Sequence, residues 1–506
     1  MQSRARPSGW ARLSSVAVAA LLAASCGRPL ASGALALERP HTAAPARALE
    51  TPVRRLDPLL DELQERAFRY FWELANPANG LVPDRWPTPS FSSVAAIGFG
   101  LTAYPIGAER GWISREEARG RVLTTLRFLR DAPQGPQGAG VAGYRGLLYH
   151  FLDMQTGARY ETVELSTIDS ALFLAGALFC QSYFDGDHPD EAAIREIADA
   201  LYRRADWTFA RPRPPRLGMG WTPEHGHLES DWHGYDEAML LHLLAIGSPT
   251  HPVGKDAWDA FASTYVWATF QGQEHVQFGP LFGHQYSHVW VDFRGIQDDY
   301  MRGKGIDYFE NSRRATLSQR AYAIANPEGF AGYGPDMWGL TACDGPADVE
   351  RVVRASANDR VREVNGKPVR FRTYSARAAS TTWSFDDGTL APTAAAGSLP
   401  FAPELCLAAL KEMRVRYGAH LWGRFGFLDA FNPTFTFTDV AVHHGAVVPG
   451  AGWFDTDWLG IDQGPIVAMI ENHRSGLVWR TMRKNRYLVD GLRRAGFKGG
   501  WLDAAP

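Results

Sequence analysis

From residue 56 onward the chain alternates apolar and polar positions with the period of a helix. In 56–75, Leu59, Leu60, Leu63, Phe68, Tyr70 and Phe71 recur at i, i+3 and i+4 spacing, which predicts an amphipathic helix that stops before Asn76 and Pro77. The same pattern predicts helices over 93–110, 114–130, 166–183, 192–209, 235–246 and 255–269. It continues over 314–325, 402–417, 465–474 and 485–495, and with one or two less regular segments the total is about a dozen. Connections alternate between short and long, and the long ones hold Gly, Trp, His and acidic residues. Helices paired as hairpins, with no sustained βαβ rhythm, predict an all-α fold of the (α/α)6 toroid type, one domain over 56–506. Two strand pairs are expected as decorations on one rim: 146–154 with 159–163, and 361–374 around Asn365 and Gly366.

The first 26 residues break this pattern. Arg4, Arg6 and Arg12 precede an apolar run over 16–24, and Ser25, Cys26 and Gly27 follow. That order predicts a secretory signal with a lipoprotein-type cleavage site and Cys26 as the lipid anchor, although Ala23 stands where a strict lipobox has Leu. The expected location is the periplasm or the outer membrane, with membrane contact only through the anchor. The apolar run is shorter than the ~20 residues a membrane span needs. Residues 27–55, rich in Ala, Pro and Arg, read as a flexible linker. The other cysteines, Cys180, Cys343 and Cys406, are an odd number without close spacing, which argues against a disulfide framework; Cys180 and Cys406 read as buried thiols.

Composition narrows the partners. Of 506 residues, 45% are hydrophobic and 21% charged, so a large core can form. A formal net charge of -3 lacks the positive field that a phosphate backbone attracts, which argues against nucleic acid. Seventeen Trp and seventeen Tyr supply flat faces on which sugar rings stack, although core packing accounts for most of them.

Three clusters could carry chemistry. Glu161, Glu164 and Asp169 lie within nine residues at a helix entrance, where Ser166 or Thr167 could serve as the cap. Trp232, Tyr235 and Glu237 immediately precede an apolar helix, and an acid in that place is partly desolvated, so its pKa rises toward what a general acid needs. Glu237 is therefore the strongest single candidate. The third cluster is His284, Gln285, Tyr286, Trp290, Asp292 and Arg294; His251, Trp338, Asp387 and Gln463 stand in similar loops, beside Asp429 and Asp462. Donors and acceptors interleaved with aromatic rings suit sugar hydroxyls. Paired carboxyls suit glycoside hydrolysis, in which one protonates the leaving oxygen and the other activates water or attacks directly. His225 with His227, His284 with His288, and His443 with His444 complete no recognised metal motif, and Asp185-Gly186-Asp187 only begins a calcium loop. Neither a metal nor a cofactor is expected.

Several runs resemble the bacterial glycoamylase-like domain of glycoside hydrolase family 144, the β-1,2-glucanases. They are Trp232-x-x-Tyr235-x-Glu237, the stretch from Leu244 to Pro252, Pro280 to His288, Asn311 to Thr316, Trp338 to Pro346, and Asp462-Gln463-Gly464-Pro465. The likeness spans roughly residues 60–495. It implies an (α/α)6 barrel and inverting, metal-independent hydrolysis of β-1,2-glucan to short oligosaccharides. It also implies Glu237 as the acid, with Glu164, Asp169 and Glu161 as base or positioning groups, Glu161 in the least distinctive surroundings. Two other classes stay open at this point, a polysaccharide lyase on a similar barrel and a glycan-binding lipoprotein without catalysis.

Overall fold

A computed structural model describes residues 54–353 and 368–504. The chain divides into two units, 1–50 and 51–506. The expected signal, Cys26 and all of the linker before residue 54 lie outside the described residues, as does the 361–367 part of the second expected hairpin.

The fold is predominantly helical. In order the helices are α1 (Pro58–Leu74), α2 (Val94–Arg110), α3 (Arg115–Asp131), α4 (Thr167–Tyr183), α5 (Pro189–Arg204), α6 (Met239–Gly247), α7 (Lys255–Ala262) and α8 (Tyr286–Trp290). Then follow α9 (Asp299–Lys304), α10 (Tyr308–Ala325), α11 (Pro392–Gly397), α12 (Pro403–Leu421), α13 (Gly460–Arg474), α14 (Leu477–Met482), α15 (Arg486–Arg494) and α16 (Gly500–Asp503). Side-chain caps fix several starts. Asp57 accepts from the Leu59 N–H, Ser93 from Ala96 and Ser166 from Asp169, while Ser114 and Glu117 form a reciprocal capping box.

Helices α2, α4 and α6 bury residues on every side. Such helices stabilise only when enclosed, and they form an apolar layer: α2 packs on α4 and α13, α4 on α6, α6 on α8, and α13 on α11. The amphipathic helices α1, α3, α5, α12 and α15 lie over this layer. The α2–α4 contact needs glycine at Gly98 and Gly176, because a Cβ at the first would sit 2.3 Å from the Leu172 carbonyl oxygen and one at the second 2.2 Å from that of Gly98. Cys180, Cys343 and Cys406 are all free and buried. Among the described residues no helix is long and apolar enough to cross a membrane.

Short strands tie helix N-termini together. Ser92–Ser93, before α2, pairs with Phe151–Leu152; Leu165–Ser166, before α4, pairs with Gly220–Thr222; Trp458–Leu459, before α13, pairs with Arg85–Trp86. The expected 146–163 hairpin is reduced to one bridge between Leu152 and Arg159, since its first strand is taken by Ser92–Ser93 and by Gly143–Tyr144. Local alternation does not rank a near partner against a distant one. The helix expected to reach residue 269 ends at Ala262. Trp267–Phe270 instead turns onto Gln273–Val276 through Gln271 and Gly272, whose positive φ values of 49° and 77° suit a tight hairpin.

Candidate active site

Glu237 sits two residues before the first residue of α6 and is held there by its main chain. The Ser287 hydroxyl donates to the Glu237 carbonyl at 2.8 Å and accepts from the Leu240 N–H at 3.0 Å, so α8 pins the entrance of α6. The Trp232 indole donates to Thr167 Oγ1 at 3.0 Å, which ties the same loop to the first turn of α4. Protein crowds the Glu237 carboxyl although it keeps some solvent access. Burial, with the field of Asp169, pushes its pKa up to about 7. Burial, then the neighbouring Glu237, also holds Asp236 well above the usual carboxylate range.

Asp169 is buried in the first turn of α4, where the Ser166 hydroxyl donates to it. His150 lies between two carboxylates, with Nδ1 2.9 Å from Glu164 Oε1 and Nε2 3.7 Å from Asp169 Oδ2. Burial opposes the imidazolium, but Asp169 and Glu164 outweigh it and raise the His150 pKa to about 9. Burial likewise works against ionised Glu164, and the His150 hydrogen bond and charge reverse this, leaving its pKa lowered. Asp169 stays raised, because burial exceeds the help from His150 and Ser166. The trio thus combines an imidazole whose pKa is raised, a glutamate whose pKa is lowered and an aspartate whose pKa is raised.

A second acidic group borders the first. Arg85 donates to Asp344 at 2.6 Å and, more weakly, to Asp457 at 3.4 Å, and the Asp344 N–H donates to Asp429 at 2.8 Å. Asp462, in the first turn of α13, lies close enough to Asp429 that burial and then that neighbour push its pKa far up; burial and Asp344 raise Asp429 to about 7. Tyr286 bridges the two groups. After burial, the charges that raise its pKa include those of Asp462 and Glu237. Tyr374 is 53% exposed while burial still dominates its raised pKa, and the charges of Asp462 and Asp344 add to it. Solvent access combined with a dense protein surround, shared by Glu237, His150, Glu164 and Tyr374, describes the wall of a cleft. A separate cavity of about 200 Å³, lined by Lys255, Trp258, Asp298 and Tyr300 among others, touches none of these acids.

The structure sorts the residues singled out from sequence. Glu237, Asp169, Glu164, Tyr286 and Trp232 come together. Gln463 lies buried in α13 next to Asp462, and its Oε1 has no hydrogen-bond partner. Glu161 does not join them: it is exposed, sits at a φ of 44° and interacts with Tyr160. Six others brace the core. Tyr235 packs on His284 and Tyr308, and His284 Nε2 lies against the Phe278 carbonyl. Gln285 donates to Ala394 O and Ser398 Oγ, Trp290 donates to Thr102 Oγ1, Trp338 is sealed, and Asp387 is gripped by Arg377. His251 follows the C-terminus of α6, and Asp292 with Arg294 follows that of α8, where Asp292 pairs with Arg294 and Arg483. The nine residues of α6 carry the chain roughly 13 Å from its start and the five of α8 roughly 7 Å, so these side chains lie at the far ends of helices whose N-termini meet the acids. Sequence reasoning missed Arg85, His150, Asp457 and Tyr374, together with Asp84, which lies 3.4 Å from the Arg85 guanidinium, and Asp455, which accepts from the Asp457 N–H. Only the spaced pair Asp455-x-Asp457 carried any local signal.

The signature of the Glycoamylase family, a glucoamylase type by its description, matches residues 229–486. An exo β-1,2-glucooligosaccharide sophorohydrolase acting at the non-reducing end, from Parabacteroides distasonis, is 28% identical over 474 residues, covering 86% of this chain. The chain spans 57% of the length of that relative. A crystal structure described as a glucoamylase candidate, from Bacteroides uniformis, superposes with a TM-score of 0.72 at 32% identity, covering 88% of this chain and 99% of the other. An endo-β-1,2-glucanase from Chitinophaga pinensis, in complex with sophorotriose and glucose, superposes with a TM-score of 0.71 at 26% identity, over 87% and 98% of the two chains.

Proposed function

This chain belongs to the Glycoamylase family, and from that premise we propose that it is a glycoside hydrolase cleaving β-1,2-linked glucan to short oligosaccharides by carboxylate acid–base catalysis. The observation that carries the reading is Glu237, a partly exposed residue whose carboxyl pKa is pushed up to about 7 by burial and by the charge of the nearby Asp169. The names of the Parabacteroides and Chitinophaga relatives support the substrate class.

Each group has a part that follows from its surroundings. Glu237 keeps its proton near neutral pH and donates it to the glycosidic oxygen as the bond breaks. A general base must be anionic under the same conditions. Glu164 meets that requirement, because His150 holds its pKa down. Asp169 raises the pKa of Glu237 and so acts as a positioning and tuning group. Inversion follows if Glu164 activates water from the face opposite Glu237. Tyr286, Tyr374 and Trp232 supply aromatic surface, and Gln463 an amide, for sugar binding. The contacts of α2, α4, α6, α8, α11 and α13 support reading them as the inner ring of an (α/α)6 toroid. The N-terminal run ending at Cys26 supports export as a lipid-anchored protein.

The purified chain is expected to release reducing sugar and short oligosaccharides from linear β-1,2-glucan. Glu164→Ala is expected to lose turnover and regain part of it with azide, giving a glycosyl azide of inverted configuration. Tight glucan binding without product would overturn hydrolysis in favour of a binding protein, and ultraviolet-absorbing unsaturated products would indicate a lyase.

A further inference from the structure

Next to the acids of the proposed catalytic site the chain seals a further group of carboxylates from solvent. Asp344, Asp429, Asp455 and Asp457 are exposed by 2%, 3%, 1% and 0%, and one carboxylate oxygen from each of Asp344, Asp429 and Asp455 lies within 4.8 Å of the others. Their hydrogen bonds leave a gap. Asp455 Oδ1 accepts from the Thr456 N–H at 2.6 Å and the Asp457 N–H at 3.2 Å, and one oxygen of Asp429 accepts from the Asp344 N–H. Asp455 Oδ2 and Asp429 Oδ1 are buried and meet no donor. An unpaired buried carboxylate oxygen costs several kcal/mol, and buried polar atoms in folded proteins are almost always satisfied.

The local charges sharpen the point. Arg85 is the one guanidinium that pairs with this group among the described residues, and it approaches Asp344 and Asp457. His444 Nδ1 lies 3.7 Å from Asp457 Oδ2, on the side of Asp457 rather than of Asp455. Asp462 stands beside Asp429 and shares a hydrogen bond with it. Elsewhere the chain solves the same problem fully, since Arg377 holds Asp387 with two hydrogen bonds and both side chains are sealed. Here no second arginine comes.

We infer that Asp344, Asp429 and Asp455 hold a hard divalent cation of the calcium class as a structural ion. Oxygen-only donors select such ions over zinc or copper. Ligand oxygens at 2.3–2.6 Å from one calcium are separated by at most ~5 Å, which the trio satisfies. The ion fastens the Gly426–Phe427 to Trp458–Leu459 region, carrying Asp429 and Asp455, to the Ala342–Asp344 strand and thereby to Arg85 and the start of the cleft. This inference does not rest on the identity of the substrate, because it is argued from acids that are sealed from solvent.

The test uses the full chain after exhaustive dialysis against EDTA. Excess Ca2+ is expected to raise the midpoint of thermal unfolding by about 3 °C, the shift expected for ligand near 100-fold over its Kd in a domain of this size. Terbium is expected to show emission sensitised by Trp453 and Trp458 and displaced by Ca2+, with lifetimes in H2O and D2O reporting few bound waters. Asp455→Asn is expected to abolish both responses. If that variant does not fold, the wild-type lifetimes still decide, because an ion on exposed acids keeps most of its waters. No midpoint shift together with no sensitised emission, a fully hydrated terbium, or a folded Asp455→Asn with undiminished responses would each overturn the assignment, and the carboxyls would then share protons instead.

Discussion

Asp387 and Glu237 are both carboxyls crowded by protein, and the fold treats them in opposite ways. Arg377 meets Asp387 with paired hydrogen bonds of 2.8 and 2.9 Å, both side chains are wholly sealed, and Asp387 also accepts from the Thr389 N–H. Glu237 has no cation pairing with it among the described residues; burial and the charge of Asp169 act on it instead. The first region shows a carboxylate bound to a guanidinium and used to build the hairpin region around Ala342–Asp344. The second shows a carboxyl whose proton is kept available. Chemical identity is the same in both, and the presence or absence of one guanidinium separates scaffold from chemistry.

The largest effect expected from breaking this contrast is at Glu237. Glu237→Gln should lower kcat on glucan by up to about 10⁴-fold with unchanged circular dichroism, the upper range for removal of a general acid. The pH profile gives the same group a sign. The protonated form is the working one, so kcat/KM should hold between the acid limb set by Glu164 and a pKa of about 7, and fall tenfold per pH unit above it. A variant with wild-type turnover, or a profile that rises through pH 7, would remove Glu237 from the reaction. Next comes the scaffold side. Arg377→Met leaves Asp387 buried without its partner and should cost about 3–5 kcal/mol in urea unfolding, much of it regained in Arg377→Met/Asp387→Leu. A loss under about 1 kcal/mol would mean that Asp387 is less enclosed than its geometry implies.

His150 joins the two regimes, since its cation outweighs burial at Glu164 but not at Asp169, which lies 3.7 Å from its Nε2. His150→Gln removes a charged hydrogen bond and should lower kcat/KM by about 10- to 100-fold, with the rise in Glu164 pKa appearing as an acid-limb shift to higher pH. An unmoved acid limb would end the case for Glu164 as the base. The smallest effect belongs to Glu161. Exposed and outside the acid group, Glu161→Gln should change turnover by less than about twofold; a large loss would restore it to the mechanism.

Legibility followed the range of the interaction. The helices over 56–75, 93–110, 114–130 and 166–183 were readable because caps such as Ser93, Ser114 and Ser166 and apolar spacing are local properties, and those helices fall within a residue or two of expectation. Helices α8, α9, α11 and α14 have five or six residues each, too few to show a period. Among the acids, Glu164, Asp169 and Glu237 were legible because each borders a helix start. His150 and Arg85 were not, because their importance comes from partners 14 to 372 residues away.

What the sequence determined by itself was the periodicity, the caps and the placing of acids ahead of apolar helices, since each depends on neighbours within a few residues. Only the tertiary structure decided which of the carboxyls received a cation. That choice depends on where distant segments meet, as when Arg85 reaches Asp344 or Arg377 reaches Asp387, and on how much water each meeting point excludes. The free energy of a buried charge is set by its surroundings in space, and no local pattern encodes them.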